Sequence, residues 1–353
     1  MRAPLLPSRS TPLALTVTSL RDDHSLHAAP GHPERPARLV AVRDAIAADA
    51  ELAALPRLFG QPASREALER VHAPAQLDLL QAFCAAGGGD LDVDTYATAD
   101  SYRIAREACG DLLAITDAVL RGEAQNGFAL GRPPGHHARP MQAMGFCLLS
   151  NVAVAARHAQ AAGAERVLVL DMDVHHGNGT QEAFYDDPSV LFVSTQQADI
   201  YPGTGHVHEV GAGAGVGATV NVPVPAGTGD ELAPALRQLV LPLADRFRPD
   251  VVFVSAGYDA HRLDPLGGLA LSVTGLVGLV QVAQEAADAH AGGRVVCSLE
   301  GGYHAEALAA SVAATLHSLL DPTRAVADPF GPTARPPVEL APLLDEVRVW
   351  HGL

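Results

Sequence analysis

The chain has 353 residues, 48% of them hydrophobic, and a formal charge of −16 from 24 basic and 40 acidic residues. That length and apolar content describe a globular chain able to bury a large core, and the acidic balance disfavours nonspecific nucleic-acid binding while suiting a cationic ligand. Every basic residue is Arg, which excludes Schiff-base lysine chemistry and a Walker-type phosphate loop.

Residues 1–11 read as a frayed tail. Residues 13–18 are the first strand candidate; the apolar stretch there is too short for a membrane span and makes a poor signal peptide. A loop rich in His and Pro follows over 24–36, then a helix over 37–50. Residues 64–70 carry a capped helix start, and 76–85 are a further helix. Gly87-Gly88-Gly89 breaks it, and an acidic loop with Asp90, Asp92 and Asp94 leads to a long helix over 102–120. Residues 128–130 form a short buried strand that runs into Gly131-Arg132-Pro133-Pro134-Gly135-His136-His137. Residues 148–162 are helical, and Gly163 stops them.

Residues 167–170 (Val-Leu-Val-Leu) read as a buried parallel strand. It ends in Asp171-Met172-Asp173-Val174-His175-His176-Gly177-Asn178-Gly179-Thr180. Ligands in open α/β sheets bind beyond the carboxyl ends of strands. Asp171, Asp173 and His175 alternate, so an extended backbone places them on one face, where carboxylates and imidazole can hold a divalent metal. Capping a helix N-terminus would need only one of the two acids.

Further strands are expected at 190–194, 219–224, 251–255 and 295–299, with helices over 231–247 and 273–290. Strand alternating with helix, with β-branched runs, means a parallel sheet covered on both faces. Residues 321–337 are Pro-rich and irregular, and 342–349 form a last short helix. The four cysteines (Cys84, Cys109, Cys147, Cys297) lack a C-x-x-C spacing and read as buried free thiols of a reducing, cytoplasmic compartment.

Other strand ends should complete the site. Asp259, just past the strand at 251–255, is the third ligand; Asp264 competes, but Asp264-Pro265 has the look of a turn start. Asp173, His175 and Asp259 leave coordination positions open, as a catalytic metal requires. Zn2+ is the default and Fe2+ accepts the same donors. The His136-His137 pair suits proton transfer, and Asp171 and Asn178 are left to accept hydrogen bonds from those imidazoles. Gly301-Gly302-Tyr303 after the last strand offers a phenol to an oxyanion.

Together these pieces resemble the histone deacetylase superfamily, which includes bacterial histone deacetylase-like and acetylpolyamine amidohydrolases. The matching stretches are His32-Pro33-Glu34-Arg35-Pro36, Arg132 to Ala138, Gly145-Phe146-Cys147, Asp171 to Thr180, Tyr201-Pro202-Gly203-Thr204-Gly205, Ser255 to Gly268 and Glu300-Gly301-Gly302-Tyr303. Asn178 and the Glu300-Gly301-Gly302-Tyr303 form look like the class II branch. The resemblance implies a single arginase/deacetylase α/β domain over 12–353, with one central parallel sheet of about eight strands and helices on both faces. It implies zinc on Asp173, His175 and Asp259, a general base and acid in His136 and His137 with His137 the stronger base, and Tyr303 beside the carbonyl. It implies a channel walled by Gly145, Phe146, Tyr201 and Leu266, and structural potassium at Asp171, Asp173, His175, Ser194 and Thr195. Asp92 or Asp94 falls where family members anchor substrate at the rim. The family often has Phe where Tyr201 stands, which leaves the acyl preference open.

The implied activity is hydrolysis of the acetyl amide of acetylated lysine in a protein or peptide, with an acetylpolyamine as the alternative substrate. No nucleic-acid or membrane partner is expected, and self-association into a homo-oligomer stays open. A two-manganese ureohydrolase would need a further Asp in place of Ala260-His261. A non-catalytic acyl-lysine binding module would have lost Tyr303 or one His of the pair.

Overall fold

The structure, a computed structural model, describes residues 14–333 and 335–353. The 1–11 tail and the start of the first strand candidate lie outside the described residues. The chain enters through β1 (Ala14–Ser19), then helices α1 (Ala37–Ala48), α2 (Ala50–Ala53), α3 (Arg65–Glu69) and α4 (Pro74–Ala85). A small hairpin, β2 (Gly88–Asp90) with β3 (Tyr96–Thr98), precedes α5 (Ser101–Leu120). Then come β4 (Ala124–Ala129), α6 (Asn151–Ala161), β5 (Val167–Asp171), α7 (Asn178–Phe184), β6 (Val190–Gln197) and β7 (Thr219–Val224). The last elements are α8 (Leu232–Phe247), β8 (Val251–Ala256), α9 (Val273–His290), β9 (Val295–Leu299), α10 (Ala305–Leu320) and α11 (Ala341–His351).

Seven strands pair in parallel in the order β1-β4-β9-β8-β5-β6-β7. The expectation of about eight strands is corrected to seven among the described residues. The remaining pair, β2 and β3, forms a separate antiparallel sheet.

Strand alternation divides the interior in two. Val167 and Val169 of β5 pack into a core with Leu112, Ile115, Val152 and Ala156 of α5 and α6. Leu168 and Leu170 face the opposite core, with α1, α8, α9 and α10 contributing Val42, Leu239, Leu279 and Leu316. A strand apolar on both faces is what a sheet covered by helices on both sides demands. The four central strands β4, β9, β8 and β5 are contiguous, so their carboxyl ends open onto one crevice. Among the described residues, no helix is long and apolar enough to cross a membrane.

Candidate active site

β5 ends at Asp171, and its carboxylates fold the chain beyond it. Asp171 Oδ1 accepts from Asp173 N at 3.2 Å, and Asp173 Oδ1 accepts from His175 N at 2.9 Å. These side-chain-to-backbone bonds carry the Asp-x-Asp-x-His alternation past the strand as a turn. Asp173, His175 and Asp259 converge so that their donor atoms all lie within 4.8 Å of one another. His175 Nδ1 is 3.1 Å from Asp173 Oδ1 and 3.3 Å from Asp259 Oδ2. Gly301 closes the cluster by donating its N–H to Asp173 Oδ2 at 2.9 Å. A Cβ on Gly301 would lie 2.1 Å from Asp259 Oδ2, so only glycine fits there. Asp264 is elsewhere: its Oδ2 accepts from Tyr303 N and His304 N and holds the turn that carries Tyr303.

The donor set fits a divalent cation. Asp259 Oδ2 is buried and accepts no well-aligned hydrogen bond, with His175 Nδ1 3.3 Å from it. In the protein alone, burial and the neighbouring Asp173 carboxylate push the Asp259 carboxyl up to about 7. Two adjacent buried carboxylates with an unsatisfied oxygen are stabilised by a cation between them. Two oxygens and one imidazole suit zinc or ferrous iron. In the β5–β6 register, Ser194 stands opposite Asp171, and its buried hydroxyl also lacks a partner. Thr195 follows it, buried, on β6.

The two imidazoles of the His pair are held differently. His136 Nδ1 meets Asp171 Oδ2 at 3.1 Å, and its Nε2 is 3.8 Å from Asp173 Oδ2. Burial opposes the charged His136 ring, but Asp173 and Asp171 outweigh it and push its value up to about 10. His137 Nδ1 meets Asn178 Oδ1 at 2.7 Å. Burial first, then the positive His136 and His175, hold His137 well below the ordinary imidazole value. In the protein alone, these surroundings favour the charged form of one ring and the neutral form of its neighbour, 4.0 Å away between centroids.

A channel of about 180 Å³ leads to these groups, lined by Asp94, His137, Gly145, Phe146, His175, Tyr201, Leu266 and Tyr303. Phe146 stands edge-on to Tyr303, with centroids 5.6 Å apart. Burial raises the Tyr303 phenol well above its usual value, so it stays neutral. Of the two rim candidates, Asp94 lines the channel. Asp92 Oδ1 accepts from Asp94 N and Thr95 N and so shapes the loop.

Three supporting residues escaped the sequence reading. Arg38 is fully buried, donates through Nε to Gly302 O at 2.6 Å and through Nη2 to Glu300 O, and lies 4.9 Å over the Tyr303 ring. Glu34 anchors Arg38 and Arg132. Glu300 accepts from Gly135 N at 2.6 Å and His136 N at 3.1 Å, which ties the end of β9 to the turn carrying the His pair. The His32 to Pro36 and Glu300 to Tyr303 stretches signalled that region only by resemblance, since charges in loops ordinarily mean solvent.

A histone deacetylase domain family matches residues 32–319 of the chain. The chain is similar to the histone deacetylase-like amidohydrolase of Pseudomonas aeruginosa, 41% identical over 306 residues, covering 86% of this chain and 80% of that protein. It is also similar to the polyamine deacetylase HDAC10 of Homo sapiens, 41% identical over 315 residues, covering 85% of this chain and 46% of that protein. Among solved structures, the crystal structure of the HDA15 HD domain superposes with a TM-score of 0.84 at 36% identity, covering 95% of each chain.

Proposed function

Because the chain belongs to the histone deacetylase family of hydrolases, we propose that it is a metal-dependent amidohydrolase that removes acetyl from acetylated lysine side chains in peptides or proteins. The observation that carries this reading is the convergence of Asp173, His175 and Asp259 with a neutral His137 and a neutral Tyr303 at the foot of one narrow channel. Asp173, His175 and Asp259 would hold a divalent ion, zinc by default, which would supply Lewis-acid activation of the acetyl carbonyl and of water. The Ser194 hydroxyl, buried without a partner opposite Asp171, supports a structural monovalent cation there, read as potassium.

The protein's own groups do the rest. The apolar walls at Phe146 and Leu266 take the aliphatic stem and exclude water around it. Asn178 accepts from Nδ1 of His137, which leaves Nε2 as the lone-pair nitrogen. That nitrogen takes the proton from the attacking water. As the carbonyl carbon becomes tetrahedral, the Tyr303 hydroxyl donates to its oxygen. A proton from the imidazole pair then passes to the amine nitrogen, the C–N bond breaks, and acetate and the free amine leave. Asp171 Oδ2, 3.1 Å from Nδ1 of His136, holds that ring in place beside His137.

An acetylpolyamine is the second reading, supported by the similarity to a polyamine deacetylase and by the acidic Asp94 in the channel lining. The test is acetate release from a fluorogenic acetyl-lysine peptide, run beside acetylspermidine and acetylputrescine. A higher kcat/KM on the peptide supports the lysine reading. A higher value on acetylspermidine supports the polyamine reading, and no release from any of them overturns the deacetylase reading.

A further inference from the structure

We propose that His176 is a positioning residue that pins the 201–205 loop, and with it the Tyr201 wall of the channel, through a hydrogen bond from Thr204. The proposal rests on the reading of that channel as the acyl-amine site.

His176 follows His175 directly, yet its buried ring points into a different network. Its Nδ1 meets Thr204 Oγ1 at 2.7 Å, and its Nε2 meets Gln181 Oε1 at 3.0 Å. The neighbours fix every proton in this chain of bonds. Glu209 Oε2 accepts from Gln181 Nε2 at 2.7 Å, so the Gln181 amide has its nitrogen on that side and its oxygen towards His176. Asn221 Nδ2 also donates to that oxygen, at 2.8 Å. In the neutral ring the His176 Nε2 then carries the proton, its Nδ1 accepts, and the Thr204 hydroxyl donates.

The loop backbone is fitted to the same ring. Gly205 has φ +86°, and a Cβ there would stand 2.6 Å from His176 Cγ. Gly205 N donates to Glu209 Oε2 at 3.1 Å, and Gly205 O accepts from Gln196 Nε2 at 2.7 Å. Tyr201 lies three residues before Thr204. Its ring stands edge-on to His137, with centroids 5.0 Å apart, and to His175, 6.2 Å apart. Two consecutive histidines thus have divided tasks. His175 enters the cluster with Asp173 and Asp259, and His176 holds the wall that faces it. One peptide unit registers the wall against the cluster.

Loosening this pin should weaken the hold on the substrate stem while leaving the reacting groups in place. Thr204 is exposed at the surface, so Thr204→Val removes the donor at nearly constant shape. On an acetyl-lysine peptide with the metal-loaded enzyme, Thr204→Val should raise KM about tenfold, the scale of one lost hydrogen bond, with kcat and metal content unchanged. Thr204→Ser, which keeps the hydroxyl, should restore the wild-type KM. A Thr204→Val enzyme indistinguishable from wild type overturns the proposal, as does Thr204→Ser as impaired as Thr204→Val, or a loss confined to kcat. A second readout stands apart from turnover. In a long-range 1H–15N spectrum, wild-type His176 should show a protonated Nε2 and a hydrogen-bonded, unprotonated Nδ1, and Thr204→Val should shift that Nδ1. An Nδ1 resonance unmoved by Thr204→Val overturns the pin. A wild type inactive on all acetylated amines overturns the deacetylase reading instead, and the spectrum still decides the pin.

Discussion

Asn178 Oδ1 lies 2.7 Å from His137 Nδ1, while Asn178 Nδ2 reaches Met144 Sδ at 3.5 Å, so the amide presents an acceptor and no charge to the ring. The neighbouring His136 faces a carboxylate, Asp171, in the same position. The Asp173 and Asp171 carboxylates favour the charged His136 ring, whereas burial and the neighbouring His136 and His175 rings favour the neutral His137 ring. A group whose value is depressed by burial and by positive neighbours keeps its basic form until the pH falls below that value. The acid limb of kcat should therefore lie below the ordinary imidazole value of 6.5. Asn178→Asp places a negative charge beside His137 and favours its protonated form. The acid limb should then move up by roughly one to three units, read from a pH–rate profile; an unmoved limb would show that His137 is not the titrating base.

Tyr303 is held by the Arg38 guanidinium over its ring and by Phe146 at its edge, and its hydroxyl is the group left for the substrate. Tyr303→Phe keeps those packing contacts. It should fold, keep its metal and bind a hydroxamate, yet lose turnover by about 10²–10³-fold, the scale of one oxyanion donor. A loss far smaller than that, with metal content intact, would reduce Tyr303 to a wall residue.

The Glu34 carboxylate accepts from Arg132 Nη2 at 2.7 Å and from Arg38 Nη1 at 3.2 Å, and all three side chains are buried. Burial raises its value, but Arg132 and the His27 hydrogen bond outweigh that and hold it well below the usual 4.5. A depressed carboxyl contributes stability that is present above its unfolded value and lost as the pH falls through its folded value. Glu34→Gln leaves two buried guanidiniums without their counter-charge and should cost about 3–5 kcal/mol in urea unfolding at neutral pH. The deficit should shrink as the pH drops below 4.5. A neutral-pH loss within the experimental scatter would mean that the arginines find other partners.

An open metal at the foot of an apolar channel should discriminate between chelating groups. On the same linear apolar linker, a hydroxamate should bind the zinc-loaded protein far more tightly than a carboxylate, measured by calorimetry. Equal, weak affinity for both would argue against a chelatable metal at the channel foot.

The strand ends were legible because β-branched runs stopping in acid, His or Gly mark the carboxyl edge of a parallel sheet. Asp171 and Asp259 were found that way. The helix α10 was overlooked: its sequence, Ala-Glu-Ala-Leu-Ala-Ala-Ser-Val-Ala-Ala-Thr-Leu-His-Ser-Leu-Leu, is buried along most of its length and shows little polar periodicity. The β2–β3 hairpin was hidden in a run of glycines and acids that reads as loop. The pairing of Glu34 with Arg132 was out of reach for another reason. Charges separated by 98 positions, as Glu34 and Arg132 are, become partners only through the fold. His176 shows the same limit, because nothing in two adjacent histidines says that their rings part company.

Asp259, buried beside Asp173 and with an oxygen that accepts no well-aligned hydrogen bond, is the clearest sign of a bound cation. The measurement is zinc stoichiometry and acetate release from an acetyl-lysine peptide, made on the same samples of wild type and Asp259→Ala. One catalytic zinc per wild-type chain is expected, with release abolished by chelation and restored by zinc, and neither tight zinc nor acetate release in Asp259→Ala. A variant that keeps one tight zinc and near-normal release would contradict the metal assignment.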